Sequence, residues 1–238
     1  MLNPVIVGSV ALDTVETPFG KVKEALGGSA TYAAVSASLF AKPGIVAVVG
    51  KDFPHHYLQL LRAKGVDING LKTAAQGKTF RWEGYYEYDM NSAKTVRTEL
   101  GCFQDFKPEL PESYEEAEYV LLANIDRELQ LNVLQQIKKP KLTLIDTMNF
   151  WIQHKKEQLL QAISKADILL LNDTEARELF STPNLVKAAN AALKLGIKGV
   201  IVKKGEHGAL LFMDNKHFSA PSYPLENIRD PTGCGDSF

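Results

Sequence analysis

Cysteine is scarce in this sequence: only Cys102 and Cys234 occur, far apart and without metal-ligand spacing. That scarcity argues against a disulfide framework and a zinc site, and it fits a reducing compartment. Neither sign of charge is in excess, with 27 Lys and Arg against 28 Asp and Glu. No global field gathers a polyanion, so nucleic acid is not expected as the main partner. No apolar run approaches the roughly 20 residues needed to cross a bilayer, and the opening MLNPVIVGSV leads directly into strand-like residues. The expectation is a soluble, cytoplasmic protein acting on a small molecule, with no membrane partner. Low-complexity tracts and internal repeats are absent. No G-x-G-x-x-G follows the first strand, because Gly8 to Asp13 holds a single glycine. A dinucleotide-dependent oxidoreductase is therefore disfavoured.

What is present is apolar material in quantity: 45% of the 238 residues are hydrophobic, enough for a sizeable core. Short runs rich in β-branched residues recur at Val5 to Val7, Ile45 to Val49, Val120 to Leu122, Leu142 to Ile145, Ile168 to Leu171 and Val200 to Val202. Continuously apolar runs of that length predict strands buried on both faces. Between them, His55 to Lys64, Glu128 to Lys138, Lys155 to Lys165, Thr174 to Phe180 and Leu185 to Leu195 repeat apolar residues at three- and four-residue steps, as amphipathic helices do. The alternation predicts an α/β fold, a mostly parallel sheet covered by helices. Lys78 to Cys102 breaks the rhythm. It is aromatic, Thr-rich and partly alternating, with the turn-like Asp89-Met90-Asn91-Ser92 in its middle, which predicts a hairpin. Together with Asp13 to Leu26 it could form a small β flap at the edge of the larger layer.

The most informative segment is Asp230-Pro231-Thr232-Gly233-Cys234-Gly235-Asp236. Two glycines flanking one small residue let successive backbone N–H groups converge on an anion. Such a cradle suits a phosphoryl group in flight, whose charge spreads over its equatorial oxygens. The rival reading of the segment alone is a tight turn with an N-capping Asp. The segment closely resembles the D-T-x-G-A-G-D signature of the ribokinase-like (PfkB) carbohydrate and nucleoside kinases, with Pro231 in place of a common Thr and Cys234 in place of the usual Ala. The resemblance implies a three-layer α/β/α fold with a small β lid at about 13–26 and 78–102. It also implies ATP-dependent transfer of the γ-phosphoryl group to a sugar or nucleoside hydroxyl. By the same resemblance, the backbone of Gly233, Cys234 and Gly235 is the anion hole, Asp236 is the catalytic base, and Thr232 lies against the nucleotide.

Further motifs follow in the family's order. Asn172-Asp173-Thr174-Glu175, after an apolar strand, resembles N-x-x-E, which implies that Asn172 and Glu175 hold hydrated Mg²⁺ and the ATP phosphates. Helix capping is the rival reading. Lys203-Lys204-Gly205-Glu206-His207-Gly208 resembles the glycine turn beside the nucleotide. Lys203 stands where Thr is usual, so a hydroxyl contact to phosphate becomes a charge contact. A plain hairpin turn would also account for Gly205 and Gly208, and His207 reads as a surface residue. Asp146 and Asn149 end another strand, where the family often has a D-x-N pattern near the phosphates.

At the acceptor end, Gly8 to Asp13 resembles the family's opening strand and loop, which makes Asp13 the anchor for substrate hydroxyls. Gly27 and Gly28 resemble the paired glycines beside the lid hinge, with Tyr32 in place of the usual Asn and a small-residue helix over Ala33 to Ser38. Asn124 and Asp126 could reach the same pocket, helix capping by Asp126 being the alternative. Trp82, Tyr85, Tyr86 and Tyr88 of the lid would either cover the acceptor or pack against a second subunit in a homodimer. The resemblance spans Gly8 to Asp236. In the family, further residues after the signature complete the adenine pocket and, in many members, a monovalent-cation site. The expectation is therefore of a domain over 1–238 that is C-terminally incomplete and weakly active alone, or else of a non-catalytic ligand-binding relative.

Overall fold

The computed structural model describes residues 3–238. Its centre is a nine-stranded sheet whose parallel part is β1 (Val5–Val7), β4 (Gly44–Val49), β5 (Asp67–Thr73), β8 (Tyr119–Leu122), β9 (Leu142–Ile145), β10 (Ile168–Asn172) and β11 (Gly199–Lys203). Its spatial order is β5-β4-β1-β8-β9-β10-β11, continued by the antiparallel β12 (Ala209–Met213) and β13 (Lys216–Ala220). Every residue of β4 is buried, as a strand covered on both faces requires. Alternation divides the core: Val5 and Val7 pack with one apolar cluster and Ile6 with the other.

The second of these clusters is covered by α1 (Ser29–Ala37) and α2 (His55–Ala63), through Ala30, Ala33, Ala34 and Leu61. Buried alanines leave room for α1 to lie close to the sheet. The other cluster is covered by α4 (Arg127–Gln136), α5 (Asn149–His154), α6 (Lys156–Ile163), α7 (Asp173–Leu179) and α8 (Leu185–Leu193), after a one-turn α3 (Glu112–Glu115). Local chemistry starts several of them. Asn184 accepts from the Lys187 N–H at 3.0 Å, and Pro54, with its φ near that of a helix, leads into α2. The result is the three-layer α/β/α arrangement expected from the resemblance.

A separate sheet in the order β3-β2-β6-β7 is built from β2 (Ala11–Thr17), β3 (Gly20–Gly27), β6 (Phe80–Tyr86) and β7 (Ala93–Glu99). Its base is pinned to the main layer. Asp52 Oδ1 accepts from the Thr79 N–H at 2.8 Å and from its hydroxyl at 2.9 Å, and Arg81 Nη2 pairs with Asp52 Oδ2 at 2.8 Å.

In the main layer, β5, β12 and β13 and the short helices α3 and α5 lie outside the periodic runs. β5 reads DINGLKT, polar and interrupted by Gly70. Gly70 belongs to its pairing, since a side chain there would fall 2.5 Å from the Ile45 carbonyl. β13 is a largely exposed edge carrying Lys216 and His217, the charged type of edge that resists further pairing. β12 continues the sheet only by folding back on β11, and α5 is too short to display a helical period.

Candidate active site

The chain leaves β1 for β4 on one side and returns to β8 on the other, so β1 and β8 form a switch point, where ligands of such sheets gather outside the carboxyl ends. At that edge lie Gly8 after β1, Asn124 after β8, Asp146 after β9, Asn172 at the end of β10 and Lys203 at the end of β11.

The β9 to β11 side collects charge. Lys203 Nζ pairs with Asp146 Oδ2 at 2.9 Å and donates to the Gly235 carbonyl at 3.0 Å. The two paired side chains are only 12% and 9% exposed. Burial works against the Lys203 charge, but Asp146, with help from Glu175 and Asp236, more than offsets it and holds the pKa above its ordinary value. This amends the sequence expectation for Lys203, whose charge contact is to Asp146 and the signature loop. Asn172 and Glu175 form a complete capping box at the start of α7: Glu175 Oε2 accepts from the Asn172 N–H and Asn172 Oδ1 from the Glu175 N–H, each at 2.8 Å. Burial, then Asp146, push the Glu175 carboxyl up to about 8.

The signature segment folds as a run of turns rather than opening a long helix. Thr232 N–H donates to Asp230 Oδ1 at 2.9 Å, Cys234 N–H to the Pro231 carbonyl at 3.1 Å, and Ser237 N–H to the Gly233 carbonyl at 2.9 Å. The N–H groups of Gly233, Gly235 and Asp236 have no partner among the described residues. Asp236 faces the same charged group; burial, then Asp146, raise its carboxyl to about 6 against the opposing pull of Lys203.

The β1 side is different. Asp13 stands on β2 beside a break in the β2–β3 register and is only 5% exposed. Burial, then Asp236, push its carboxyl up to about 7, against hydrogen bonding from Gly28 and Tyr32. The carboxylate needs Gly27, because a Cβ there would sit 1.9 Å from Asp13 Oδ2. Ser9 and Ser29 tie the β1 loop to the start of α1 by reciprocal bonds at 3.2 and 3.0 Å, which sets the path of Gly28 between them. Tyr32 donates to Asp13 Oδ2 over 3.5 Å while its ring lies on Gly233. Asp13, Gly27, Gly28, Tyr32 and the signature loop thus meet in one cleft.

Two expected members are turned to other tasks. Asn124 accepts from Trp151 Nε1 at 2.8 Å and donates to the Met148 sulfur. Asp126 caps α4 through the Glu128 N–H and pairs with Lys155 at 2.6 Å. Capping therefore prevails over pocket lining at 126. Asn149 starts α5, and Gly205 and Gly208 turn β11 back into β12 with His207 on the surface. In the flap, the Tyr86 hydroxyl lies 3.5 Å from Thr232 Oγ1, and Asn91 at the hairpin tip approaches Gly205. Trp82 bonds Thr95 within the flap, Tyr88 is exposed, and Tyr85 is partly so.

Sequence reasoning missed Arg127 and Gln130. Arg127 is fully buried and donates to the Asp146 and Ile125 carbonyls, and Gln130 Nε2 donates to the carbonyls of Leu122, Ala123 and Asp146. Together they hold the strand ends that present Asp146. Their signal is present in the sequence: two long polar side chains three residues apart, in register with Val133, on the face of a helix that must be buried.

The sequence pattern of the pfkB family carbohydrate kinases matches residues 5–238. The cytidine kinase of Thermococcus kodakarensis is 32% identical over 244 residues, covering 100% of this chain and 86% of that protein. The nucleoside kinase of Methanocaldococcus jannaschii is 25% identical over 214 residues, covering 89% of this chain and 69% of that protein. Among solved structures, a protein described as a ribokinase II from E. coli, in complex with ATP and Mg²⁺, superposes with a TM-score of 0.82 at 19% identity, over 100% of this chain and 83% of its own.

Proposed function

Because the chain belongs to the pfkB family of carbohydrate kinases and transfers a phosphoryl group to the hydroxyl of a sugar or nucleoside, we propose that its acceptor is a nucleoside, its donor ATP with Mg²⁺, and its base Asp236. The observation that carries this reading is the meeting of Asp13 and Asp236 in one cleft, with the carboxyl of Asp13 raised partly by Asp236. Tyr32, bonded to Asp13 at its hydroxyl and resting on Gly233 with its ring, brings the two acids to one group of residues, where both can face one hydroxyl-bearing ligand. The cytidine kinase likeness, which extends over the whole chain, supports the choice of nucleoside over free sugar.

In this account Asp13 accepts hydrogen bonds from the acceptor's hydroxyls and turns one of them toward Asp236. The hydroxyl oxygen forms a bond to the γ-phosphorus as the bond from that phosphorus to the ADP oxygen breaks, and the proton passes to Asp236. A loose transition state asks for little proton removal before bonding is advanced, so a carboxylate suffices as base. The N–H groups of Gly233, Gly235 and Asp236 meet the charge on the moving phosphoryl oxygens. The Tyr86 contact to Thr232 supports closure of the flap over the reaction, which limits loss of the phosphoryl group to water.

Asn172 and Glu175 fit a hydrated magnesium ion. A carboxyl raised to about 8 by burial and by Asp146 belongs to a group short of positive charge, and a nearby dication restores its ionised form. When bound, the ion neutralises the phosphate oxygens. Lys203 and the turn of Gly205 and Gly208 border the phosphate side.

A panel of cytidine, other nucleosides and free sugars, each with ATP and Mg²⁺ and read by ADP release, tests the proposal. ADP release with nucleosides is expected; release with free sugars alone contradicts the nucleoside assignment. The same assay in potassium and in choline buffers reads any monovalent-cation requirement. No helix among the described residues is long and apolar enough to cross a membrane. With Cys102 and Cys234 both unpaired, we place the protein in the cytoplasm, which fractionation of cells would check. The exposed flap residues Val22, Tyr85 and Val96 make that sheet our choice for a homodimer surface, which sedimentation would test.

A further inference from the structure

Tyr32 touches both ends of the cleft. Its hydroxyl reaches the Asp13 carboxylate over 3.5 Å, long for a bond between an O–H and a charged acceptor, which ordinarily settles below about 3 Å. Its ring presses on the opposite partner. A Cβ at Gly233 would lie 2.3 to 2.5 Å from ring atoms Cδ1, Cγ and Cδ2, so the ring rests directly on the backbone of the signature loop. Gly233 has φ of +76°, and that loop is otherwise braced by its own small turns, the Lys203 contact at Gly235 and the Tyr86 contact at Thr232. The Asn usual at this position in the resembling family has no ring with which to do this.

We propose that Tyr32 is a positioning residue with two separable functions: its hydroxyl completes the acceptor site beside Asp13, and its ring sets the height of the anion-binding loop at Gly233. The weak phenol-to-carboxylate contact is one that an acceptor hydroxyl can take over, spreading the two oxygens to about 4.5 Å so that it donates to Asp13 while accepting from the Tyr32 O–H. Filling the acceptor site then steadies the ring against the loop, which couples acceptor binding to readiness for phosphoryl transfer. Burial, followed by the nearby charge of Asp13, holds the phenol well above its ordinary pKa, so it remains a donor at any working pH. The inference rests on the reading of Asp13 as acceptor anchor and of the Gly233 to Asp236 loop as the phosphoryl-binding element.

Steady-state kinetics of Tyr32→Phe and Tyr32→Leu, with folding verified by circular dichroism, separates the two functions. Tyr32→Phe keeps the ring. It should raise the acceptor KM by about 3- to 10-fold, the worth of one modest hydrogen bond, with kcat within about 2-fold. Tyr32→Leu removes the ring, and kcat should fall by on the order of 100-fold, as misplacement of a reacting group by an ångström does. Equal losses of kcat in both variants, or an unchanged kcat in Tyr32→Leu, would overturn the proposal. A double-mutant cycle on a second background, Tyr32→Met, which keeps much of the buried volume without a ring, covers the case in which Tyr32→Leu is poorly folded. Gly233→Ala should cost at least 10-fold less activity in the Tyr32→Met background than in the parent, because the added methyl no longer meets the ring; strictly additive losses would also overturn it. If instead the parent protein transfers no phosphoryl group to any acceptor, it is the functional reading that fails, a result distinguishable from any pattern among the variants.

Discussion

The two ends of the cleft hold buried acids in opposite circumstances. At the phosphate end, Asp146 pairs with the ammonium of Lys203, whose charge also moderates the raised pKa of Asp236, about 6. At the acceptor end, Asp13 has no cationic partner among the described residues: its neighbours are Tyr32, Gly28 and further acids, and its carboxyl rises to about 7. The contrast teaches what each end is built to receive. A resident cation suits an end that handles a polyanion and its counterion, while a partly neutralised carboxyl among hydrogen-bonding groups suits a neutral polyhydroxy ligand.

The largest way to break that contrast is to remove the cation. Lys203→Met leaves Asp146 buried without its partner and should cost about 3 to 5 kcal/mol of stability, read from denaturant midpoints. A loss below about 1 kcal/mol would mean that Lys203 is not the organising charge of that end.

The acceptor end should respond to pH. A carboxyl whose folded pKa lies above its unfolded value holds its proton more tightly in the native state. Native stability is therefore lost as pH rises from the unfolded value near 3.8 through about 7. For Asp13 alone this amounts to about 2 to 3 kcal/mol between pH 5 and pH 8. Asp13→Asn should flatten the stability profile of the ligand-free protein by roughly that amount, leaving the same-signed slope due to Glu175 and Asp236. An unchanged slope would show that Asp13 is ordinarily charged and solvated.

Activity sharpens the comparison further. Because Asp13 and Asp236 must be ionised to work, kcat/KM should fall on acidification through the window between about 6 and about 7, the two values belonging to a coupled pair. A profile flat down to pH 5 would be incompatible with these two acids. The smallest expected effect lies at the base of the flap, where Asp52→Ala removes two bonds to Thr79 and the pairing with Arg81. That should cost about 2 kcal/mol and raise the acceptor KM, because the flap loses its anchor. A variant with unaltered KM would uncouple the flap from acceptor binding.

Much of this was legible in the sequence, and what was not has physical reasons. The six parallel strands marked by β-branched runs were readable because none has an exposed residue on either face, so almost all their side chains are apolar. β5 and β13 were not, since one is half-exposed and glycine-interrupted and the other is a charged edge. The signature loop could be read because its backbone demands glycine. The ion pair of Lys203 could not be read, because spacing does not reveal that Asp146, 57 residues earlier, meets it from the end of β9, two strands away in the sheet. Asp126 shows the limit most clearly: an Asp after a strand and before a helix satisfies the pattern of a ligand and of a cap alike, and only the orientation of the α4 N–H groups decides for the cap.

Phosphorus-31 NMR of ATP, Mg²⁺ and cytidine with the parent protein and with Asp236→Asn bears most directly on the central claim. A nucleoside monophosphate resonance should grow with the parent and slow by at least about 1,000-fold with the variant, while ATP affinity changes little. Comparable monophosphate formation by Asp236→Asn would contradict the account.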